Sequence, residues 1–354
     1  MKILIIGGTG FIGRFVVADL IARGHKVAVY HRGPSTASVP AGVLHLFGDR
    51  AQIGWKRMDF IRLAPDVVVD FIASSERQSK GVVDVFKGVT PRLVMISSQD
   101  VYRAYGILLG IEEGPLPKQP ITEDSDLRTR LYPYFDEQMK NMRAVFPWLD
   151  DTYEKILAER AVMDVEKLPA TILRLPMVYG PGDPLHRNFP VIKRMDDGRQ
   201  AILMQQDAAA WHPTRGYVEN VAAAIALAIA SPDAAGRIYN IAEPDAPSEA
   251  EWAQLIGDVM GWKGEIVSAP KEAIPIHLRV PFNVTQDWIV SSDRIRSELG
   301  YAEPVSRAEG LRRTVEWERA NPPGNLNPAL FDYAAEDKAL AEFQRNAADR
   351  HLSA

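Results

Sequence analysis

The stretch that decides the fold is KILIIGGTGFIGRFVVADLIARG, residues 2–24. KILII (2–6) reads as a buried strand, and FIGRFVVADLIARG (11–24) has the period of a helix that ends at Gly24. Between them, GGTGFIG supplies glycine where a strand-to-helix turn needs it. Gly7 permits the tight turn, Gly10 lets the backbone approach a pyrophosphate, and Gly13 allows the helix to pack closely. The N–H groups of Phe11 and Ile12 fall at the helix N-terminus, where orphan donors and the helix dipole favour an anion. Strand, glycine turn and helix in this order are the context that a dinucleotide-binding fingerprint requires.

The same alternation continues outward. KVAVY (26–30), VLHLF (43–47), DVVVDFIA (66–73), RLVMISS (92–98) and ATILRL (170–175) are strand-length apolar runs with helical patterns among them. Continuous rather than alternating hydrophobicity marks strands buried on both faces, hence a parallel sheet with helices on each side. The expectation is a Rossmann-like, doubly wound α/β fold. Residues 1–175 should form the nucleotide-binding domain, with an extra segment at about 128–150. Residues 176–321 should form a smaller, interleaved substrate domain, with 215–242 returning to the first domain. Residues 322–354 read as a C-terminal loop and polar helix.

Composition is ordinary for a globular chain of 354 residues, with 46% hydrophobic and 25% charged residues. A net charge of −5 counts against a general nucleic-acid or anionic-membrane binder. The absence of cysteine excludes disulfides, thiolate metal sites and cysteine nucleophiles, and no other spacing suggests a metal. MKILIIGG runs straight into a strand pattern, leaving no room for a signal peptide, and no apolar run approaches the roughly 20 residues of a membrane span. A cytoplasmic protein is the expectation.

The end of the second strand bears on the choice of nucleotide. NAD binders place an acid there for the ribose 2′-hydroxyl. VAVYHRG instead has His31 at that point and Arg32 next, and the guanidinium of Arg32 suits a 2′-phosphate. NADP(H) is therefore favoured, with NAD(H) as the alternative. Asp49, in FGDRA, suits a hydrogen bond to the adenine amino group and also the N-cap of the next helical segment.

With these motifs in place, the chain resembles the extended short-chain dehydrogenase/reductase family, the group containing nucleotide-sugar epimerases and dehydratases. The resemblance is carried by GGTGFIG, FGDRA, DVVVDFIA, VMISSQDVY, KILAERAV, LRLPMVYGPGD, TRGYVENVAAAI, YNIAEP and SSDRIRSELGY, which cover roughly residues 1–320. It implies that Ile72 and Ala73 join the cofactor site, that Pro176 and Val178 flank the nicotinamide, and that Ser98 holds the substrate oxygen. Arg215 would contact a substrate diphosphate, with Tyr102 and Arg187 as further substrate contacts. The family's preferred substrates are nucleotide sugars, and it often dimerises through a bundle that includes the lysine-bearing helix. A homodimer is the expectation.

One feature departs from the family. Its members use a YxxxK pair, in which lysine lowers the tyrosine pKa and binds the nicotinamide ribose. KILAERAV places that lysine at Lys155, with Glu159 in register, so the tyrosine position is 151 and holds aspartate. Asp151 beside Lys155 would stay ionised and donate no proton, and an i,i+4 ion pair is the plain alternative role for Lys155. Three substitutes are open. Tyr153 reaches the site if the helix starts late, and it is preferred. Tyr132 or Tyr134 would come from the extra segment. Asp100, where the dehydratases carry a carboxylate, would serve as acid or base if buried.

The leading reading is an NADP(H)-dependent oxidoreductase or epimerase/dehydratase-like enzyme acting on a hydroxyl or carbonyl group. The rival is a nucleotide-binding protein of the same fold that has lost catalysis, like the RNA-associated stem-loop-binding relatives. Net acidity and the lack of an aromatic-and-basic stripe count against RNA. His186, Trp211 and His212 lie in or beside the loops that flank the substrate residues; a lone histidine there is more often structural than catalytic, and no spacing suggests a metal site.

Overall fold

The computed structural model describes residues 1–33 and 39–352, with side-chain surroundings to residue 346. The first half runs β1 (Lys2–Ile6), α1 (Gly13–Ala22), β2 (Lys26–His31), β3 (Leu44–Phe47), α2 (Arg57–Leu63), β4 (Val67–Asp70), α3 (Glu76–Phe86) and β5 (Leu93–Ser98). Next come α4 (Arg103–Leu108), α5 (Asp136–Val145), α6 (Lys155–Met163), β6 (Ala170–Leu175), β7 (Met177–Tyr179), α7 (Phe189–Asp196) and β8 (Ala201–Gln205). The rest is α8 (Gln206–Ala209), β9 (Arg215–Tyr217), α9 (Val218–Ala230), β10 (Ile238–Asn240), α10 (Glu249–Met260), β11 (Glu265–Ala269), α11 (Asp293–Leu299), α12 (Arg307–Ala320) and α13 (Tyr333–Leu352).

Seven strands make one parallel sheet in the order β10-β6-β5-β4-β1-β2-β3. Side chains alternate across it. Ile3, Ile5, Val27 and Val29 enter the core beneath α1 and α9, while Leu4, Ile6, Ala28 and Tyr30 enter the one that holds Phe60 and Phe86. Runs such as Ile3–Ile6, Val67–Val69 and Leu93–Ile96 are therefore apolar at every position, as a sheet covered on both faces requires. β3 is different. Leu44 is 50% exposed and Phe47 56%, because β3 is the edge strand and VLHLF is not buried on both faces.

Strand order reverses between β1 and β4, and the crevice at the carboxyl ends of these strands is where ligands bind in such sheets. After β6 the chain leaves the sheet to form two small parallel pairs, β7 with β9 and β8 with β11. Between β9 and β11 it returns to the main sheet as β10, with Ile238 beside Ile172. At the C-terminal end, α13 is held by buried Glu336, paired with Arg194 at 2.6 Å, and by Phe343 against Leu203, Ala269 and Ile274. Among the described residues, no helix is long and apolar enough to cross a membrane, and no side-chain group could hold a metal ion.

Candidate active site

A cleft of about 2380 Å³ runs along the carboxyl edge of the sheet. At one end is the glycine turn. Gly7 (φ +93°) and Gly8 (φ +78°) occupy the left-handed region. A Cβ on Gly13 would lie 2.5 Å from Gly8 Cα, whereas one on Gly10 would meet nothing within 4 Å. Gly13 therefore seats the helix on the turn, and Gly10 leaves open the space that a pyrophosphate would fill. No side chain caps α1, and Phe11 and Ile12, which lead into it, line the cleft together with Gly13. These features fit a dinucleotide.

Farther along this wall, Arg32 is exposed and lines the cleft, and His31 shares a hydrogen bond of 2.9 Å with His45. Asp49 accepts the Ala51 N–H at 2.8 Å while also lining the cleft, so capping leaves it available to a ligand. Arg50 grips Asp70 through two bonds of 2.5 and 2.6 Å, and Asp70 accepts the N–H of Ile72, which fixes Ile72 in the wall. Ala73 departs from expectation. It is fully buried outside the lining, and its carbonyl accepts from Lys155.

The lysine-bearing helix starts late. Glu154, extended at φ −159°, caps α6 by accepting the Ile156 N–H at 2.8 Å, so α6 begins at Lys155 itself. Residues 151–154 are not helical, and the i,i+4 pair of Asp151 and Lys155 does not form. Asp151 is 67% exposed and meets Arg77 instead. Freed from helical direction, the Tyr153 hydroxyl donates to Asp100 Oδ2 at 2.6 Å. Tyr134, from the extra segment, donates to the same oxygen at 3.2 Å and shares a bond of 2.8 Å with Tyr105. Tyr132 is 55% exposed and lies outside the lining.

A buried ion pair sets this arrangement. Arg128 and Glu154 meet at 3.0 Å, both side chains wholly inaccessible. Arg128 also donates to the Asp100 carbonyl at 2.6 Å, and Glu154 accepts the Tyr132 N–H at 2.6 Å. The pair thus ties the extra segment, the Asp100 turn and the start of α6 together. Asp100 itself is 6% exposed, and its Oδ1 is buried without a hydrogen-bond partner among the described residues. Such an atom in a cleft marks a place for a ligand or a proton.

Electrostatics here differ from the YxxxK scheme. Burial, then the Asp100 charge, holds the Tyr153 phenol well above its ordinary 10, and the same causes act on Tyr134. Burial pulls the Lys155 ammonium down to about 8, against the fields of Asp100 and Asp70. Lys155 donates to the carbonyls of Ala73 and Ile96, the latter at 2.9 Å, leaving one of its three donors. Ser98 lines the cleft and accepts the Asp100 N–H at 3.2 Å.

The far end is lined by Trp211, Arg215, Glu249, Trp252, Phe282 and Arg187. Arg215 pairs with Glu249 at 2.6 Å and lies 4.3 Å over the Trp252 ring, and Arg187 pairs with Asp183 at 2.7 Å. Three expectations fail here. Tyr102 is fully buried away from the cleft, its hydroxyl donating to Asn240 and accepting from Arg174. Pro176 and Val178 lie outside the lining, while Leu175, Met177 and Tyr179 line it, because strand period two turns alternate residues inward. Sequence reasoning also missed Arg128, Glu154, Tyr105 and Glu249, whose partners are all distant in the chain. Only the second tyrosine of DVYRAYG gave a local hint.

The sequence model of the family described as NAD dependent epimerase/dehydratase matches residues 3–89 and 152–242. A chloroplast stem-loop binding protein of 41 kDa from Arabidopsis thaliana is 32% identical over 128 residues, covering 32% of this chain and 33% of that one. A UDP-N-acetyl-alpha-D-glucosaminuronate decarboxylase from Bacillus cytotoxicus is 22% identical over 342 residues, 90% of this chain and 98% of that one. Among solved structures, MoeE5 in complex with UDP-glucuronic acid and NAD superimposes with a TM-score of 0.62 at 19% identity, covering 90% of this chain and 99% of that one, a likeness of fold. Of two curated relatives it matches, the chain spans about a half and a third of the length.

Proposed function

Because the chain belongs to the NAD-dependent epimerase/dehydratase family, we propose that it is a nicotinamide-dependent oxidoreductase or epimerase/dehydratase-like enzyme acting on a hydroxyl or carbonyl substrate. The observation that carries this reading is the 2.6 Å hydrogen bond from Tyr153 to buried Asp100, in the same cleft as the glycine turn. The bound nicotinamide would supply or accept a hydride at a carbinol carbon. Gly10 with the amides of Phe11 and Ile12 would hold its pyrophosphate, Asp49 its adenine, and the remaining donor of Lys155 its ribose. Arg32, with His31 in place of an acid, favours NADP(H).

The proton route differs from a YxxxK site. A substrate hydroxyl passes its proton to the Tyr153 oxygen as Tyr153 passes its own to Asp100, and the steps reverse for reduction. Tyr153 stays neutral throughout, which suits a phenol whose pKa burial has raised. Ser98 polarises the same substrate oxygen. Lys155 places a positive charge in the field of Asp100, the group that accepts the proton in this route.

The test is a fluorescence titration with NADPH and NADH. Binding of NADPH in preference to NADH is expected, and Arg32→Ala should weaken NADPH much more than NADH. Equal losses sink the 2′-phosphate assignment, and no binding of either sinks the reading. A second reading, a nucleotide-binding protein without catalysis, is favoured by Asp151 at the usual tyrosine position and by the likeness to the stem-loop binding protein. Co-purifying RNA, seen as excess absorbance at 260 nm, would support it.

A further inference from the structure

The far end of the cleft is built around two arginines, and each already has its own counter-charge. Arg215 is 8% exposed, and Glu249 sits 2.6 Å from its Nη2 while itself 34% exposed to the cleft. Trp252 covers the guanidinium face at 4.3 Å, and the carbonyls of Pro213 and Pro247 lie 3.4 Å from Nη1. Arg187 is held by Asp183, 2% exposed, and by the Val178 carbonyl at 3.0 Å. The N-terminus of α10 faces the same region, but its first turn carries Glu249 and Glu251, and Glu251 caps Ser248. The Glu249 N–H donates to the Trp211 carbonyl at 3.0 Å, which ties the start of α10 to the Trp211 loop.

An incoming diphosphate would have to displace Glu249 from Arg215 or lie against its charge. Like charges pressed together in a partly desolvated site are repelled strongly. An uncharged hydroxyl meets no such barrier. The pair offers it a donor in Arg215 and an acceptor in Glu249, with the Trp252 ring against Arg215 and Trp211 and Phe282 in the lining of the same cleft. We propose that this end of the cleft takes an uncharged, hydroxyl-bearing ring of the substrate and rejects a diphosphate, with Glu249 as the residue that sets this specificity. The inference rests on the cleft being a nicotinamide-dependent active site.

Isothermal titration of NADPH-saturated protein with UDP and with UDP-glucose tests it. The native protein should show no saturable binding up to about 1 mM, and Glu249→Gln should bind UDP about tenfold or more tightly. Adding Arg215→Ala to that variant should abolish the gain. Saturable UDP binding by the native protein overturns the proposal, as does a Glu249→Gln variant that gains nothing, or a gain that survives loss of Arg215. NADPH saturation is followed by its own fluorescence, so a failure of cofactor binding is read separately from a failure at Glu249. Circular dichroism of each variant separates a lost fold from lost binding.

Discussion

Two phenols converge on Asp100 Oδ2, while Oδ1 has no partner among the described residues. Asp100→Asn keeps the shape but cannot take a proton. Turnover should fall about 10²- to 10⁴-fold while NADPH affinity holds, and Tyr153→Phe should match it. If the two act in one relay, the double variant is little worse than either single one; multiplying losses would mean separate roles. Lys155 sets the alkaline side. With its ammonium near 8, kcat/KM should decline above about pH 8, and a flat profile to pH 10 would remove Lys155 from the chemistry. The same shift has a cost. A lysine lowered from 10.5 to about 8 binds its proton less well folded than unfolded, which destabilises the fold by roughly 3 kcal/mol at neutral pH. That cost fades as pH rises from 8 towards 10.5.

At the scale of elements, the late start of α6 decides which side chains reach the cleft. Arg128→Met would leave Glu154 buried and unpaired, at a cost of about 3–5 kcal/mol, whereas Arg128→Met with Glu154→Leu should restore much of the stability. The double variant should still lose turnover, because neither the extra segment nor Tyr153 is then held. Thermal melts beside activity check this, and equal stability of single and double variants would contradict it. The same element marks where sequence reading ends. The glycine turn, the strands and the helix carrying Lys155 were legible because each rests on neighbouring residues. The alternative pairing of Asp151 with Lys155 needed a helix already formed at 151, whereas α6 starts at Lys155, behind a contact spanning 26 residues, Arg128 to Glu154, that no local pattern announces. Tyr102 was misplaced for a similar reason: Asn240 and Arg174, far along the chain, claim its hydroxyl. Pro176 and Val178 failed by one step of parity, since the resemblance located β7 but not which of its faces turns inward.

For the whole molecule, the cleft joins parts of unequal character. One wall is made of short turns at strand ends, and the other is assembled from β7, α10 and the loops around Trp211 and Phe282. Both depend on the main sheet, whose outermost strand on the β6 side is β10. That return has a consequence for the order of events on the ribosome. When β6 emerges, the backbone along Ala170–Leu175 has no neighbour on its outer side until Ile238–Asn240 is made, about 60 residues later. At roughly 5–20 residues per second, that edge stands open for about 3–12 s. Through that interval it is an unpaired strand of the kind that associates with other chains. Chains arrested near residue 200 should therefore be digested under pulse proteolysis that spares the released full chain. Equal protection would mean that the nucleotide-binding half matures without its last strand. For a newly made copy, the hazardous moment falls midway through translation, before the second wall of the cleft exists.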